Sequence, residues 1–321
     1  MTEPANVPLV SVVIPTYNAP AMLLETLETV FAQTFQDFEV VVINDGSTDG
    51  TATSLKPLDD AGKIRLINQP NGGIGDARNR GIDEARGKYI ALLDHDDLWH
   101  AEKLAAQVAF MESHPDCAAC SVPWSMSPSP ETPVCDFSAI TDDKGIVKEP
   151  LQELAHGRVF LISSSLMVRR DRIEGLRYMR ERRCIEDTPF QVRLFARGDF
   201  GIAGDKILMV YRVHASNYSS QADFFYNGIK LLRRLDREHE FNELTGHNRR
   251  AMHAFFAHLG RSAVAAQLTN GLRKRAAEIY LREMLEQAKL GRWKFLLCTP
   301  GLLCVPTAFI KRIFPKSSTV A

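Results

Sequence analysis

The chain is predicted to be α/β, built on a mostly parallel sheet with helices on both faces, and three observations predict it. Short β-branched runs alternate with helical periodicities through the first third of the sequence. Those runs are too uniformly apolar to have a solvated face, as in strands buried on both sides. Polar clusters rich in aspartate, asparagine and glycine follow them, where open α/β sheets hold their ligands.

The first strand is Val10 to Ile14, stopped by Pro15, and a helix over Ala21–Gln33 follows with apolar residues at three- and four-residue spacing. Phe38–Ile43 is the second strand and ends in the turn and cap formers Asn44 to Gly50. Lys63–Asn68 is a third strand, Asp76–Ala85 a helix, and Tyr89–Leu93 a fourth strand running directly into Asp94. The stretch from Pro123 to Lys148, rich in Pro, Ser, Thr and Asp, is expected to be a surface excursion. Val159–Val168 and Gly201–Val213 read as strands and Pro189–Ala196 as a helix. Beyond Asn217 the pattern is helical, with breaks expected at Gly246, Gly260, Gly271 and Gly291. A boundary near Ser220 divides an α/β domain, 1–220, from a helical region, 221–321.

With 321 residues, 45% of them hydrophobic, the chain can bury a full core. Its 39 basic and 39 acidic residues cancel, so no basic field gathers nucleic acid and phosphate recognition must be local. The start, MTEPANVPLVSVV, lacks the basic and apolar regions of a signal peptide, which predicts a cytoplasmic protein. Six scattered cysteines include one close pair, Cys117 and Cys120, without a second pair at zinc spacing, so reduced core thiols are expected.

Three carboxylates, Asp94, Asp96 and Asp97, stand within four positions at the end of the fourth strand. Their mutual repulsion is relieved by a divalent cation such as Mn²⁺ or Mg²⁺, bound by one or two of them, with water and a substrate diphosphate in its remaining positions. A solvated helix start, with Asp96 or Asp97 as cap, is the competing reading. Gly73-Ile74-Gly75 is not a dinucleotide fingerprint, because Arg78 takes the place of the third glycine and the segment follows strand three. The Gly-Lys-Ser/Thr of a P-loop is missing as well.

SVVIPTYNAP, VVINDGSTDGT, NGGIGDARNRGIDEARGKYIALLDHDDLW, CIEDTPFQVRL and YRVHASNYS, in that order, resemble the inverting family 2 glycosyltransferases of GT-A fold over Val10 to about Ser219. The resemblance implies a nucleoside-diphosphate sugar donor, UDP-linked by expectation. It assigns Pro15, Thr16 and Tyr17 to the loop that contacts the nucleoside, and Asp45 to the carboxylate that accepts the pyrimidine N3 proton, with Asn44 where relatives often carry aspartate. Asp94 and Asp96 match the first and last residues of the Asp-x-Asp motif that serves ribose hydroxyls and metal; Asp97 is an alternative ligand. Arg78 offers guanidinium donors to the nucleotide. Glu186 and Asp187 match the family's Glu-Asp motif, with Asp187 as general base for the attacking hydroxyl. Arg212 is expected at the leaving group, and His214 at the metal or the diphosphate. Ser163, Ser164 and Ser165 lie where relatives shape the acceptor pocket. The acceptor class implied is a glycan or lipid-linked saccharide used in cell-surface polysaccharide synthesis.

Two other classes compete. A sugar-phosphate nucleotidylyltransferase shares the fold class but calls for a Gly-rich, Arg-containing loop after the first strand, where this chain has Pro15 to Asn18. A silent nucleotide-sugar binding module calls for loss of the acidic cluster or the base, and both are present. Finally, residues 292–314 join an apolar run, too short to span a bilayer and interrupted by Pro300, Gly301 and Pro306, to cationic flanks. A peripheral membrane segment and a terminal helix packed on the domain or on a second subunit are both consistent with that pattern; the oligomeric state is not legible.

Overall fold

The computed structural model describes residues 7–180, 185–214, 217 and 223–313; Cys184, Ser219, Ser220 and residue 314 fall outside them. The chain forms two compact units. The first comprises Met1–Lys148, Leu161–Arg182 and Arg193–Val213.

In chain order this unit carries β1 (Val10–Thr16), α1 (Pro20–Phe31), β2 (Phe38–Asp45), α2 (Thr51–Asp60), β3 (Arg65–Gln69), α3 (Ile74–Glu84) and β4 (Tyr89–Leu92). It continues with β5 (Leu98–Trp99), α4 (Lys103–Ser113), β6 (Cys117–Ser121), β7 (Trp124–Met126) and β8 (Ser129–Pro133). After α5 (Pro150–His156), which belongs to the second unit, come β9 (Met167–Arg169), α6 (Thr188–Leu194), whose first five residues also belong to the second unit, β10 (Asp199–Ile202) and β11 (Met209–Tyr211). Seven strands form the main sheet in the order β10-β6-β9-β4-β1-β2-β3. All neighbours are parallel except β9, which runs against both β4 and β6.

β1 is the centre of the core. All seven of its residues are buried, and Val10 pairs in register with Phe38 on one side and Tyr89 on the other. α1 buries Leu23, Leu27 and Val30, spaced four and three apart, and each such side chain removed from water contributes about 1.5–3 kcal/mol. α3 lies closer to the sheet than a side chain allows: a Cβ on Gly81 would meet Val13 Cγ1 at 2.1 Å, and one on Gly75 would meet the Met179 carbonyl oxygen at 1.9 Å. In the Gly-x-Gly of the sequence, Gly75 thus serves packing and Gly73, with φ of +93°, starts the helix.

A second sheet, β5-β11-β7-β8, corrects the expectation that 123–148 is a surface excursion. Trp124, Phe137, Ile140 and Val147 are buried there, and Ile146 bridges to Gly201. Gly201–Val213 is two short strands in different sheets, parted at Gly204, whose φ of +83° suits glycine. Val159–Val168 is mostly irregular. Ser163–Ser165 form a 3₁₀ turn, with Ser165 Oγ donating to the Ile162 carbonyl at 2.8 Å, a local bond that competes with strand pairing.

The second unit comprises Glu149–Phe160, Arg183–Val192 and His214–Ala321. It therefore begins before the expected boundary at Ser220 and takes in two earlier stretches, because Ile185 packs where a Cβ on Gly228 would stand and α5 lies beside a later helix. Its helices are α7 (Asp223–Arg237), α8 (Gly246–Thr269), α9 (Arg273–Lys289), α10 (Trp293–Leu302) and α11 (Thr307–Ile313). Gly271 and Gly291, with φ of +75° and +66°, follow α8 and α9 as expected. Gly260 does not break a helix. It lies inside α8, where a Cβ would meet Glu283 Cγ at 2.9 Å, and Glu283, 2% exposed, is paired with Arg233 at 2.6 Å. Among the described cysteines Cys117 and Cys120 are buried thiols, whereas Cys298 and Cys304 are exposed, against the expectation of core thiols throughout.

Gly81→Val should cost at least about 1–3 kcal/mol through overpacking against Val13. Gly301→Ala, which meets no atom within 4 Å, should be near neutral. Urea denaturation of the two variants checks the pair, and equal midpoints would contradict the close approach of α3 to β1.

Candidate functional site

The site is built at the carboxyl ends of β1, β2 and β4, where four loops of the first unit are tied to one another. Asn18, held at a positive φ of 49°, receives a hydrogen bond on its Oδ1 from the Thr48 N–H at 2.8 Å, and its own N–H donates to Ser47 Oγ at 3.0 Å. The β1 and β2 loops thereby form one rim. Pro15 and Thr16 are buried within it, whereas Tyr17 is 46% exposed and presents an aromatic face to solvent.

Asp45 ends β2 and is 3% exposed. Its Oδ1 accepts from Gln69 Nε2 at 2.7 Å and from the Gly72 N–H at 2.9 Å, and its Oδ2 accepts from the Gly73 N–H at 2.8 Å. The carboxylate thus closes the Asn71–Gly73 loop ahead of α3. Asn44 beside it donates to Asn68 Oδ1 at 2.8 Å.

Each of the three clustered carboxylates is held differently. Arg78 Nη2 contacts both oxygens of Asp94, at 2.7 and 3.0 Å, and its guanidinium lies 5.1 Å from the Tyr178 ring centroid. With its side chain 4% exposed, Arg78 is paired with Asp94. Asp97 is 1% exposed: its Oδ2 accepts from Ser164 Oγ at 2.5 Å and its Oδ1 from the Arg212 N–H at 3.1 Å. Burial, followed by the charges of Asp96 and Asp94, pushes the Asp97 carboxyl well above the usual carboxylate range. Asp96 is half-buried between them.

Arg212, expected at the leaving group, makes a set of bonds of its own. It bonds Glu25, the Asp96 carbonyl, the Met22 carbonyl at 3.0 Å and Thr26 Oγ1 at 3.2 Å. Thr26 Oγ1 in turn donates to the His95 and Asp97 carbonyls, both at 2.9 Å. Arg212 is a clamp between α1 and the acidic loop. His95 Nδ1 stands 3.3 Å from the Pro15 carbonyl, joining the loops after β4 and β1.

Ser164 holds the arrangement together. Besides donating to Asp97, its Oγ accepts the Asp94 N–H at 3.0 Å, and its carbonyl accepts Trp99 Nε1–H at 2.9 Å. Sequence reasoning had placed Ser164 only at an acceptor pocket; no local signal reveals a bond spanning 67 residues. Beneath Trp99 lies a residue that sequence reasoning missed. The ammonium of Lys103, fully buried, sits 3.8 Å over the Trp99 ring and donates to Gln107 Oε1 at 2.6 Å. Burial pushes its pKa down to about 7.

The remaining predicted residues belong to the second unit. Glu186 is buried and Asp187 half-buried, just ahead of α6, with Gln191 Nε2 at 3.3 Å from Asp187 Oδ2. The His214 N–H donates to Asn217 Oδ1 at 2.5 Å, and Asn217 Nδ2 lies 3.2 Å from His214 Nε2. Among the described residues no three His, Cys, Asp or Glu side chains gather as a ready cation cage. The donor set still suits a hard cation of the Mg²⁺ or Mn²⁺ kind, which takes one or two carboxylates and completes its shell from water and phosphate oxygens. Asp97 is turned inward to Ser164 and the Arg212 N–H, and Asp96 is half-buried beside it.

Residues 11–176, just over half of the chain, match the sequence model of glycosyl transferase family 2. The chain is 35% identical over 132 residues to the putative teichuronic acid biosynthesis glycosyltransferase TuaG of Bacillus subtilis, which covers 40% of this chain and 52% of that protein. It is 43% identical over 101 residues to an uncharacterized glycosyltransferase of Rickettsia bellii, covering 32% of this chain and 15% of that one. The matched stretches thus span about half or less of these relatives. In fold, the chain is similar to S. aureus TarS 1-349 in complex with UDP-GlcNAc, with a TM-score of 0.66 at 18% identity over 88% of this chain and 92% of that one. It is also similar to the mannosyltransferase PcManGT of Pyrobaculum calidifontis in complex with GDP-Man and Mn²⁺, with a TM-score of 0.60 at 18% identity over 96% and 88%.

A lysine with a depressed folded pKa sheds a proton that the unfolded chain still binds, so stability rises with pH between about 7 and the usual lysine value of 10.5. The protein should gain about 2 kcal/mol from Lys103 between pH 7 and pH 9. Lys103→Met should flatten that slope in urea titrations at the two pH values. An unchanged slope would place the Lys103 pKa in its ordinary range.

Proposed function

Since the chain belongs to glycosyl transferase family 2, we propose that it transfers a sugar from a nucleoside diphosphate, UDP in the first instance, to a hydroxyl of a glycan or lipid-linked saccharide, with inversion and with a divalent cation. The observation that carries this reading is the acidic loop at the end of β4, where Arg78, Ser164 and Arg212 hold Asp94 and Asp97 and His95 ties the loop to the Pro15 carbonyl. Names of relatives agree in kind: TarS is bound to UDP-GlcNAc, PcManGT to GDP-Man and Mn²⁺, and TuaG is assigned to teichuronic acid biosynthesis.

In this mechanism Tyr17 stacks on the base, and Asp45 fixes the loop that faces it. Asp94, aligned by Arg78, accepts hydrogen bonds from the ribose hydroxyls. Asp96 would hold the cation, which would offset the charge of the departing diphosphate. Asp187 takes the proton of the acceptor hydroxyl as its oxygen attacks the anomeric carbon, while the bond to the diphosphate oxygen breaks on the opposite face. Glu186 supports Asp187, and His214 is a further diphosphate or cation contact. The partners are therefore a nucleotide sugar and a saccharide, not a nucleic acid.

UDP should bind at least about tenfold more tightly in Mn²⁺ or Mg²⁺ than in chelator, a difference near 1.4 kcal/mol, and Asp96→Ala should remove that gap. Calorimetry on the full chain checks this; equal affinity with and without metal would end the cation assignment, and tighter binding of GDP would change the base.

Asp187→Asn keeps the size of the side chain but cannot take a proton. Turnover of the labelled donor into product should fall about 100- to 10,000-fold while donor affinity is unchanged. Near-native turnover would move the base elsewhere, with Glu186→Gln as the next comparison.

A further inference from the structure

The second unit carries an apolar surface that the transfer reaction does not use. α9 buries Ala276, Ile279, Tyr280, Glu283 and Gln287 and turns Leu281, Met284 and Leu285 outward, at the three- and four-residue spacing that makes one helix face. Leu281 and Leu285 are 65% and 76% exposed. On α10, Trp293 and Leu297, one turn apart, are 60% and 77% exposed. Tyr280 fastens the two helices: its hydroxyl donates to the Leu296 carbonyl at 2.7 Å and its ring centroid lies 5.5 Å from that of Phe295. Phe309 of α11 is also exposed, whereas Ile310 is fully buried and packs into the unit.

Charge singles out what covers this surface. The chain is neutral overall, yet residues 273–313 hold nine Lys and Arg against three Glu. One of those, Glu283, is buried with Arg233. From Lys289 to Ile313 there is no acidic residue, while Lys289, Lys294, Lys311 and Arg312 are exposed. A second copy of the chain docked through the same patch would set these cations against each other, since a two-fold interface pairs a surface with itself. An anionic lipid surface offers the complement, acyl chains for the leucines and headgroups for the cations, with tryptophan at the boundary. No helix of the described residues is long and apolar enough to cross a membrane.

We propose that the outer face of α9 and α10, Leu281, Met284, Leu285, Trp293 and Leu297 with Lys289 and Lys294, seats the protein on an anionic bilayer surface. This extends the sequence expectation of residues 292–314 back onto α9, and it turns Ile310 inward. It does not depend on the transfer reaction, since its test needs neither donor nor acceptor.

The full chain is mixed with vesicles of phosphatidylcholine alone and of phosphatidylcholine with an equal share of phosphatidylglycerol. At low salt the bound fraction should be at least about tenfold higher on the anionic vesicles and should fall in 0.5 M NaCl. Trp99 and Trp124 are 4% and 1% exposed, so a blue shift of tryptophan emission on binding reports Trp293. Leu285→Glu with Leu297→Glu should abolish both signals, and Lys289→Glu with Lys294→Glu should weaken binding while leaving UDP affinity and the melting midpoint unchanged. Failure of the wild-type chain to bind anionic vesicles overturns the proposal. So does a dimer in sedimentation velocity that the leucine substitutions dissociate without any vesicle binding, which would give the face to a second copy.

Discussion

Three carboxylates within four residues cannot share one loop unless their repulsion is divided, and the first unit is arranged around that division. Asp97 goes inward to Ser164 and the Arg212 N–H, Asp94 is matched by the buried Arg78, and Asp96 stays at the rim. Removing one partner of such a set costs more than the net value of the bond, because the group left behind remains buried. Ser164, Arg78 and Arg212 come from three distant parts of the chain. The acidic loop therefore has its shape only when β4, β9 and β11 are all in place, and the site is a product of the whole unit rather than of its motif.

The supports are as polar as the site. Lys103 and Gln107 occupy the buried face of α4, a helix whose periodicity is blurred because those two positions would ordinarily be apolar. Gln107 Nε2 donates to the Ser165 carbonyl at 3.0 Å while Lys103 underlies Trp99, so both ends of the serine turn rest on this helix. Buried polar networks of this kind favour one geometry. The neighbouring Cys120 thiol is pushed up to about 12 by burial, which keeps it neutral beside the lysine.

How far the sequence could be read follows from the range of the interactions. β1, β2 and β4 were legible because buried strands carry their own apolar signature, and the helical reading of Pro189–Ala196 agrees with α6 to within two residues. The acidic cluster was legible as a cluster. Which aspartate turns inward was not, since that depends on Ser164, 67 positions away. Arg212 was legible as a cation near the site but not as a clamp on α1, because Glu25 and Thr26 announce nothing of it locally. The second sheet escaped for a different reason: strands of two or three residues, such as β5, β7 and β11, are too short to show a period. Gly260 was misread as a break because close helix packing and helix termination use the same residue.

β9 has a further consequence. A strand that runs against its neighbours delivers its beginning, not its end, to the ligand edge of the sheet, and so it is the residues ahead of β9 that reach Asp94 and Asp97. The position of Ser164 is set from one side by the pairing of β9 with β4 and β6 and from the other by its bonds to Asp94, Asp97 and Trp99. A substitution that loosens the pairing of β9 is therefore felt first at the acidic loop, through the turn that precedes the strand, and only afterwards at the strand's own far end.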